Sequence, residues 1–509
     1  MEKRILVLLI VGCTLTMLAL GDVAGQKESE WSHSAEGPVA SVAISANGEY
    51  VAAASEDSNL YLYSKDDSTP LWNYSSGTGW GDRMVSASIS ADGEYIAAGS
   101  MIVGSPSPNS KVHLFHKDSS TPLWNHTTTG DVTSVAISAD GEYIVVGTEE
   151  GWQGGWVYLF SKANSTPLWS HETEGPVTSV AISADGENMV AGSEDKGVYL
   201  FNKDNSTPRW SHTTGDKVRA VSISADGSHV AAGSLDDGLY LFNKDSSTPL
   251  WSYDVGADVF SVAISADGEY IAAGSGDRNV YLFDKQGSTP LWNHTTGDGV
   301  GSVSISANGH SIVAGPWDGK VYLFDKVAST PLWSYVTHNE AGSTVYSAAI
   351  SADGEYVAAG TYGEVYLLDR NIPPTAQIDS ILPSPATGVE EITFSGSGLD
   401  ADGFVNAHQW NSSVDGFLSD EEDFSKEGLS VGVHIITLRV QDDDGEWSDE
   451  TSAELTVDIA HEDDSAGGDA GGDEPGGENV GGGLPALSMV ASAATLTFAA
   501  VIAAIRKRP

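Results

Sequence analysis

Trp210–Leu250 reads WSHTTGDKVRAVSISADGSHVAAGSLDDGLYLFNKDSSTPL, and the chain repeats this stretch eight times. Three marks recur in every copy. A Trp followed by Ser or Asn stands at Trp31, Trp72, Trp124, Trp169, Trp210, Trp251, Trp292 and Trp333. Ser-Ala-Asp/Asn-Gly ends at Gly48, Gly93, Gly141, Gly186, Gly227, Gly268, Gly309 and Gly354. An aromatic run surrounds Tyr61, His113, Tyr158, Tyr199, Tyr240, Tyr281, Tyr322 and Tyr366. The Trp spacing is 41 five times, 52 once and 45 once. A fixed period near that length marks a stacked or circular array of one supersecondary unit.

Within the quoted copy, four apolar runs are bounded by turn residues: Arg209–Thr213, Val218–Ser224, His229–Ser234 and Leu239–Asn243. All are strand length and too short for a helix. Asp226-Gly227 lies between two runs, as a tight hairpin turn requires, because Gly tolerates positive φ. Runs such as Val-Tyr-Leu-Phe are apolar on both faces, which predicts a small sheet covered on both sides. The second and third runs are rich in Ala, Gly and Ser, which suits the crowded strands nearest an axis.

The pattern G-x-V-x-S-V-A-I-S-A-D-G-E-Y-I-A-A-G-S-x-D…V-Y-L-F-D resembles the WD-repeat family over residues 30–370. Gly-Asp replaces that family's Gly-His, as at Gly215-Asp216, and Phe-Asp or Phe-Asn replaces its closing Trp-Asp, as at Phe283-Asp284. The S-T-P-L-W element is similar to the Trp-bearing strand of quinoprotein (PQQ) repeats. The resemblance implies an all-β chain with an eight-bladed β-propeller of four-stranded blades. It also implies that the Trp strand is the outermost strand of the preceding blade. The strand of Trp31 then completes the last blade, whose other strands lie in 344–369, and the eight tryptophans are structural.

Lys and Arg total 24 against 71 Asp and Glu, a net charge of −47. Such a chain repels nucleic acid and anionic lipid surfaces. Met1–Gln26 reads as a secretory signal, with Lys3 and Arg4 ahead of an apolar stretch and small residues at Gly21, Ala24 and Gly25. The single cysteine, Cys13, lies inside it, where Val-Gly-Cys also offers a lipoprotein site. Removal of the signal leaves a mature chain without disulfides or thiol chemistry.

Two connections of the repeat vary in length while the Asp-Gly and Lys-Asp-x-Ser-Thr-Pro turns do not. The longer forms are Ser76–Arg83, Met101–Ser110, Glu149–Gly155 and Thr337–Ser343. In the implied topology all open on one face. The off-pattern tryptophans Trp80, Trp152, Trp156 and Trp317 fall on connections of that face, and Arg83 sits in the same arc. Aromatics on variable loops of a rigid scaffold make binding sites; they also tuck under their own loops. These five residues are the candidate ligand-binding set.

Residues 373–458 carry a D-x-D-G turn, the Trp410 strand and a T-L-x-V-x-D…G strand. They resemble a PKD domain, an immunoglobulin-like β-sandwich that serves as a spacer or adhesion module on cell surfaces. The family's W-x-F-G-D-G is only partly kept, with Asp415-Gly416 displaced from Trp410. Asp400/Asp402 and Asp442/Asp443/Asp444 supply the oxygens a calcium ion wants; they equally read as solvated turn residues. Residues 460–483 form an acidic, Gly-rich stretch with no apolar periodicity, expected to be a disordered linker. Residues 484–505 are apolar and uncharged, long enough for a membrane-crossing helix, and the basic tip 506–509 orients the propeller outward. The same layout resembles C-terminal sorting signals in which the helix is exchanged for a lipid anchor. Six N-x-S/T sequons, at Asn73, Asn125, Asn164, Asn205, Asn293 and Asn411, allow N-glycosylation.

No H-E-x-x-H, G-x-S-x-G, phosphate loop or Cys pair is present. Eight blades with PQQ-like elements resemble quinoprotein dehydrogenases, but the vicinal cysteines typical of those are missing. The sequence therefore implies no cofactor, no bound metal and no catalytic residue. It predicts a membrane-anchored surface protein whose propeller face binds an extracellular protein or glycan. A self-associating surface-layer component and a quinoprotein-type dehydrogenase are the alternatives.

Overall fold

The computed structural model describes residues 27, 29–77, 81–102, 110–151, 154–337 and 344–459. Every regular element among them is a strand. Six four-stranded antiparallel sheets follow one another from Asp82–Ile89 to Pro331–Val336, and a seven-stranded sheet holds two further blades. Trp31–Ile44 belongs to both of these. Its first half pairs with Tyr362–Asp369, Trp31 opposite Leu367, and its second half with Tyr50–Ser55, Ile44 opposite Val51. The N-terminal strand thus completes blade 8 before it opens blade 1, as the repeat offset implies.

The repeat motifs are the joints of the ring. In Ser-Ala-Asp-Gly, the Ser224 hydroxyl donates to Asp226 (2.7 Å) and accepts the His229 N–H (3.0 Å), while Asp226 accepts the Ser228 N–H (2.9 Å). Gly227 turns the chain at φ +68°, a conformation costly for any residue with a Cβ. The turn holds its alanine outward, toward the next blade. Ala46 N–H donates to the Ala91 carbonyl, Ala91 to Ala139, Ala139 to Ala184, Ala184 to Ala225, Ala225 to Ala266, Ala266 to Ala307, Ala307 to Ala352 and Ala352 back to Ala46, at 2.9–3.1 Å. Eight bonds close one hoop, which fixes the blade number at eight.

The serine of V-x-S-V makes a second set of links. Each innermost strand would otherwise show unpaired N–H groups to the axis. The hydroxyls of Ser41, Ser86, Ser134 and Ser179 accept the N–H of Ala87, Val135, Val180 and Val221 in the following blade at 3.1–3.2 Å. Those of Ser261, Ser302 and Ser347 accept from Val303, Ala348 and Val42 at 3.0–3.1 Å. Only blade 5 departs, with Ala220 in the serine's place. The outermost strands use their tryptophans. In seven copies the indole Nε1 donates across to the backbone carbonyl of a lysine in the next blade, as in Trp210 to Lys244 (2.9 Å). Trp333 is buried, and its Nε1 has no partner among the described residues.

Residues 375–458 form two sheets. One comprises Thr375–Leu382, Ile392–Leu399 and Asp423–Lys426; the other is five-stranded and centred on Gly432–Asp442. They enclose one core of Trp410, Phe394, Ile436, Leu438, Val440 and Leu455. This sandwich is joined to blade 8 by a polar cluster. The buried Lys27 ammonium is held by Asp369 of the propeller and by Glu446 of the sandwich (2.8 Å). Asn371 donates to Asp442 (2.8 Å) and Glu446 (3.1 Å), and the Ile372 N–H to Asp402 (3.2 Å). Asp443 accepts the Phe404 N–H (2.9 Å). Of the five acids considered for calcium, Asp402 and Asp442 thus take donors of the junction, and Asp443 takes a backbone donor of the sandwich itself. The signal, linker and C-terminal apolar segments expected at 1–26, 460–483, 484–505 and 506–509 lie outside the described residues. Among the described residues no helix is long and apolar enough to cross a membrane.

Candidate functional site: the mouth of the propeller channel

Each innermost strand begins with a buried Val or Met and ends in the alanine hoop, so the channel has a laced end and an open end. At the open end a β-bulge follows the buried residue. The pairing register skips one residue in seven blades: Ala40, Val85, Thr133, Thr178, Arg219, Phe260 and Gly301. Tyr346 holds the eighth position, just before Ser347–Ile350. A bulge re-aims the inserted side chain. Here all of these residues but Ala40 line two neighbouring cavities at the mouth.

The two cavities differ in chemistry. One, of about 450 Å³, spans blades 2–6 and carries Val85, Thr133, Thr178, Glu149 and Glu194. Both threonines turn inward, bonding backbone carbonyls of their own and the next blade; Thr178 reaches Gly192 (3.0 Å) and Val218 (2.7 Å). Glu194 is paired with Lys217 (2.6 Å). Burial, with help from Asp131 and Glu194, pushes the Glu149 carboxyl above its ordinary range.

The other cavity, of about 650 Å³, spans blades 5–8 and is lined by Arg219, Phe260, Asp298, Trp317, Thr344 and Tyr346 among others. Trp317 and Tyr346 keep 39% and 41% of their surface exposed. The Trp317 ring lies 5.0 Å from that of Phe260, tilted by 43°. Asp298 takes the Gly299 N–H on one carboxylate oxygen (2.7 Å). Arg219 borders both cavities and has no ion-pair partner among the described residues.

Of the candidate binding residues, Trp317 stands in this cavity. Arg83 lies beside the mouth but is engaged by Glu56 at 2.8 Å. Trp80 and Trp152 lie outside the described residues. Trp156 is a correction. It belongs to the strand Gly155–Ser161, not to a connection, and packs between blades against the cluster of Val132, Val135 and Tyr158. Its ring stacks on Tyr158 at 6.2 Å and its Nε1 is buried. The reason is strand alternation: residues two apart share a face, so Trp156 follows Tyr158 inward. Sequence reasoning missed Arg219, Phe260, Asp298 and Tyr346.

Comparison with known proteins agrees with this architecture. The family model described as outer membrane protein assembly factor BamB (PQQ_2) matches residues 77–242 and 235–372. The chain belongs to the PQQ_2 family. A WD domain, G-beta repeat model matches residues 26–64, which include the strand shared by blades 8 and 1. A crystal structure of the computationally designed Ika8 protein aligns with a TM-score of 0.54 at 13% identity, covering 66% of this chain and 98% of that one. That likeness is one of fold alone. No curated protein matches the chain. As a PQQ_2 propeller, the chain differs between its own copies chiefly at the mouth, where the bulge residue runs Ala, Val, Thr, Thr, Arg, Phe, Gly, Tyr.

Proposed function

We propose that the chain is a non-catalytic, membrane-anchored cell-surface protein that captures an extracellular partner at the mouth of its propeller. The observation that carries the proposal is the convergence of Trp317, Phe260, Tyr346 and Arg219, the last without an ion-pair partner among the described residues, on one open cavity. Trp, Tyr and Arg are the residue types that dominate binding hot spots. The two-sheet domain fits a PKD spacer, and the secretory-type leader with an apolar C-terminal segment fits export and anchoring. The family's description, an outer membrane protein assembly factor, is of a protein that works at a membrane, which agrees with this placement. Five sequon asparagines, Asn73, Asn125, Asn164, Asn205 and Asn293, are exposed on the outer rim. Sugars there would leave the mouth clear.

The test is a surface-protein and glycan binding screen of the full-length chain beside Trp317→Leu and Arg219→Thr variants. Specific binding lost in the variants supports the reading; binding that survives both removes the mouth as the site. Dehydrogenase activity with an added quinone cofactor would instead favour an enzyme.

A second reading, self-association into a surface layer, draws on a belt of rim leucines. Leu71, Leu123, Leu168, Leu250 and Leu291 are each about half exposed at the same place on blades 1, 2, 3, 5 and 6, with Arg209 in that place on blade 4. Ordered oligomers in light scattering, lost when these leucines become Ser, would favour it.

A further inference from the structure

We infer that the ligand of the mouth is a carboxylate-bearing pyranose, the acidic sugar of a glycan chain. The inference rests on the reading of the mouth as a binding site and names its ligand class.

Trp317 is the first ground. Its ring lies against Gly299 and Gly301. A Cβ at Gly301 would meet its Nε1 at 2.5 Å, and one at Gly299 would meet ring carbons at 3.0 Å. Two residues without side chains thus form a seat on which the indole lies flat. The glycines hold the indole from one side and Phe260 flanks it at 5.0 Å, and 39% of its surface stays exposed to the cavity. A fixed, flat, apolar face is complementary to the C–H face of a pyranose ring, and its rigidity lowers the entropy cost of stacking.

Arg219 is the second. Its guanidinium stands at the cavity without an ion-pair partner among the described residues, in a chain with 71 acidic residues against 24 basic ones. Its planar fork matches a carboxylate in two parallel hydrogen bonds. Asp298 supplies the third element. With one oxygen fixed by the Gly299 N–H, the other is free to accept from a sugar hydroxyl.

The serine ladder weighs against an extended peptide. Strand addition needs an unpaired edge, and seven inter-blade serine bonds take one inner-edge N–H in every blade but blade 6. What the mouth offers is side chains: a platform, a fork and an acceptor.

The test is calorimetric titration of the full-length chain, in mild detergent, with tetramers of galacturonate, glucuronate and mannuronate and with their methyl esters. At least one acid should bind, about tenfold or more tighter than its ester. Arg219→Thr, which installs the residue of blades 3 and 4, should abolish that preference. Trp317→Leu, which installs the residue of blade 5, should weaken acid and ester alike. Equal affinity for acid and ester, or affinity indifferent to both substitutions, overturns the inference. Failure of all three acids, while a screened protein partner is still lost in Trp317→Leu, overturns the sugar and leaves the mouth as a binding site. If neither variant alters the binding of anything, both fall.

Discussion

The amide of Ala352 donates to the carbonyl of Ala46 at 2.9 Å, joining residues 306 positions apart and completing the hoop of eight identical bonds. The same two blades are joined again at their outer side by the strand of Trp31, so the ring is closed at both radii. Trp31 is buried, and its Nε1 reaches the Lys65 carbonyl at 2.8 Å. Trp31→Ala should cost about 3–5 kcal/mol. Unlike the same change at Trp210, it should also release the N-terminal strand early. Limited proteolysis with mass spectrometry should show cleavage before Ser41 at denaturant concentrations where the other blades still resist.

Ala220 breaks the serine ladder. Its neighbour across the blade gap is Val262, whose counterparts in the other blades give their N–H to a serine hydroxyl. Ala220→Ser should restore that bond and raise stability by about 0.5–1.5 kcal/mol, and Ser179→Ala should lower it by a similar amount. Urea midpoints for the two variants test the pair. A destabilising Ala220→Ser would show that the gap beside Arg219 has no room for the hydroxyl.

His113 takes the place that Tyr holds in the other seven copies. It is buried, stacked near Phe115 and Tyr74, and neither ring nitrogen has a partner among the described residues. Burial, with Lys111 adding repulsion, pulls its pKa from 6.5 down to about 4. The folded chain therefore holds it neutral, while the unfolded chain protonates it below pH 6.5. Its contribution is complete above that pH and is lost as pH falls toward 4, by at most about 3 kcal/mol. His113→Phe should make stability in that window fall less steeply. Parallel slopes for the two proteins would place the acid sensitivity elsewhere.

The junction to the sandwich titrates in the opposite sense. Burial, then hydrogen bonding to Asp369 and repulsion from it, raises Glu30 from 4.5 to about 7. Burial and the neighbouring Asp400 raise Asp402 from 3.8 to about 6. Both groups hold protons in the fold that the unfolded chain gives up. Their contribution is full below their ordinary values and declines as pH rises through the raised ones. Hydrogen exchange at Ile372 and Glu446, corrected for intrinsic rate, should be slower at pH 5 than at pH 8. Glu30→Gln should flatten the difference, and an unchanged profile would count against Glu30 as its source.

Much of this fold is legible in the sequence because the physical constraints recur. A tryptophan that must reach the next blade, and a Ser-Ala-Asp-Gly turn that must present its alanine, leave the same residues at the same spacing. The offset of Trp31 onto the last blade is what the WD-repeat resemblance implies, and the pairing of Trp31 with Leu367 agrees with it. The mouth is harder to read. Trp317 stands out because tryptophan is absent from its place in the other copies. Arg219 and Phe260 sit inside a strand, and Tyr346 just before one, with constant neighbours, and only alignment of the copies on V-x-S isolates that position as the variable one. A bulge has no sequence mark of its own here. Trp156 misleads for the converse reason: its loop is long, but the strand begins one residue before it, at Gly155.

The alanine hoop has a further consequence for how this molecule can vary. It laces the blades together at one end of the channel only. A residue inserted in any Ser-Ala-Asp-Gly turn would displace an alanine and cut a circle that has no slack. At the other end no closed hoop of backbone bonds runs among the described residues, and connections there can lengthen singly without disturbing their neighbours. Novelty in this chain is thus confined to one rim, and a propeller grafted with foreign loops should tolerate them on that side alone.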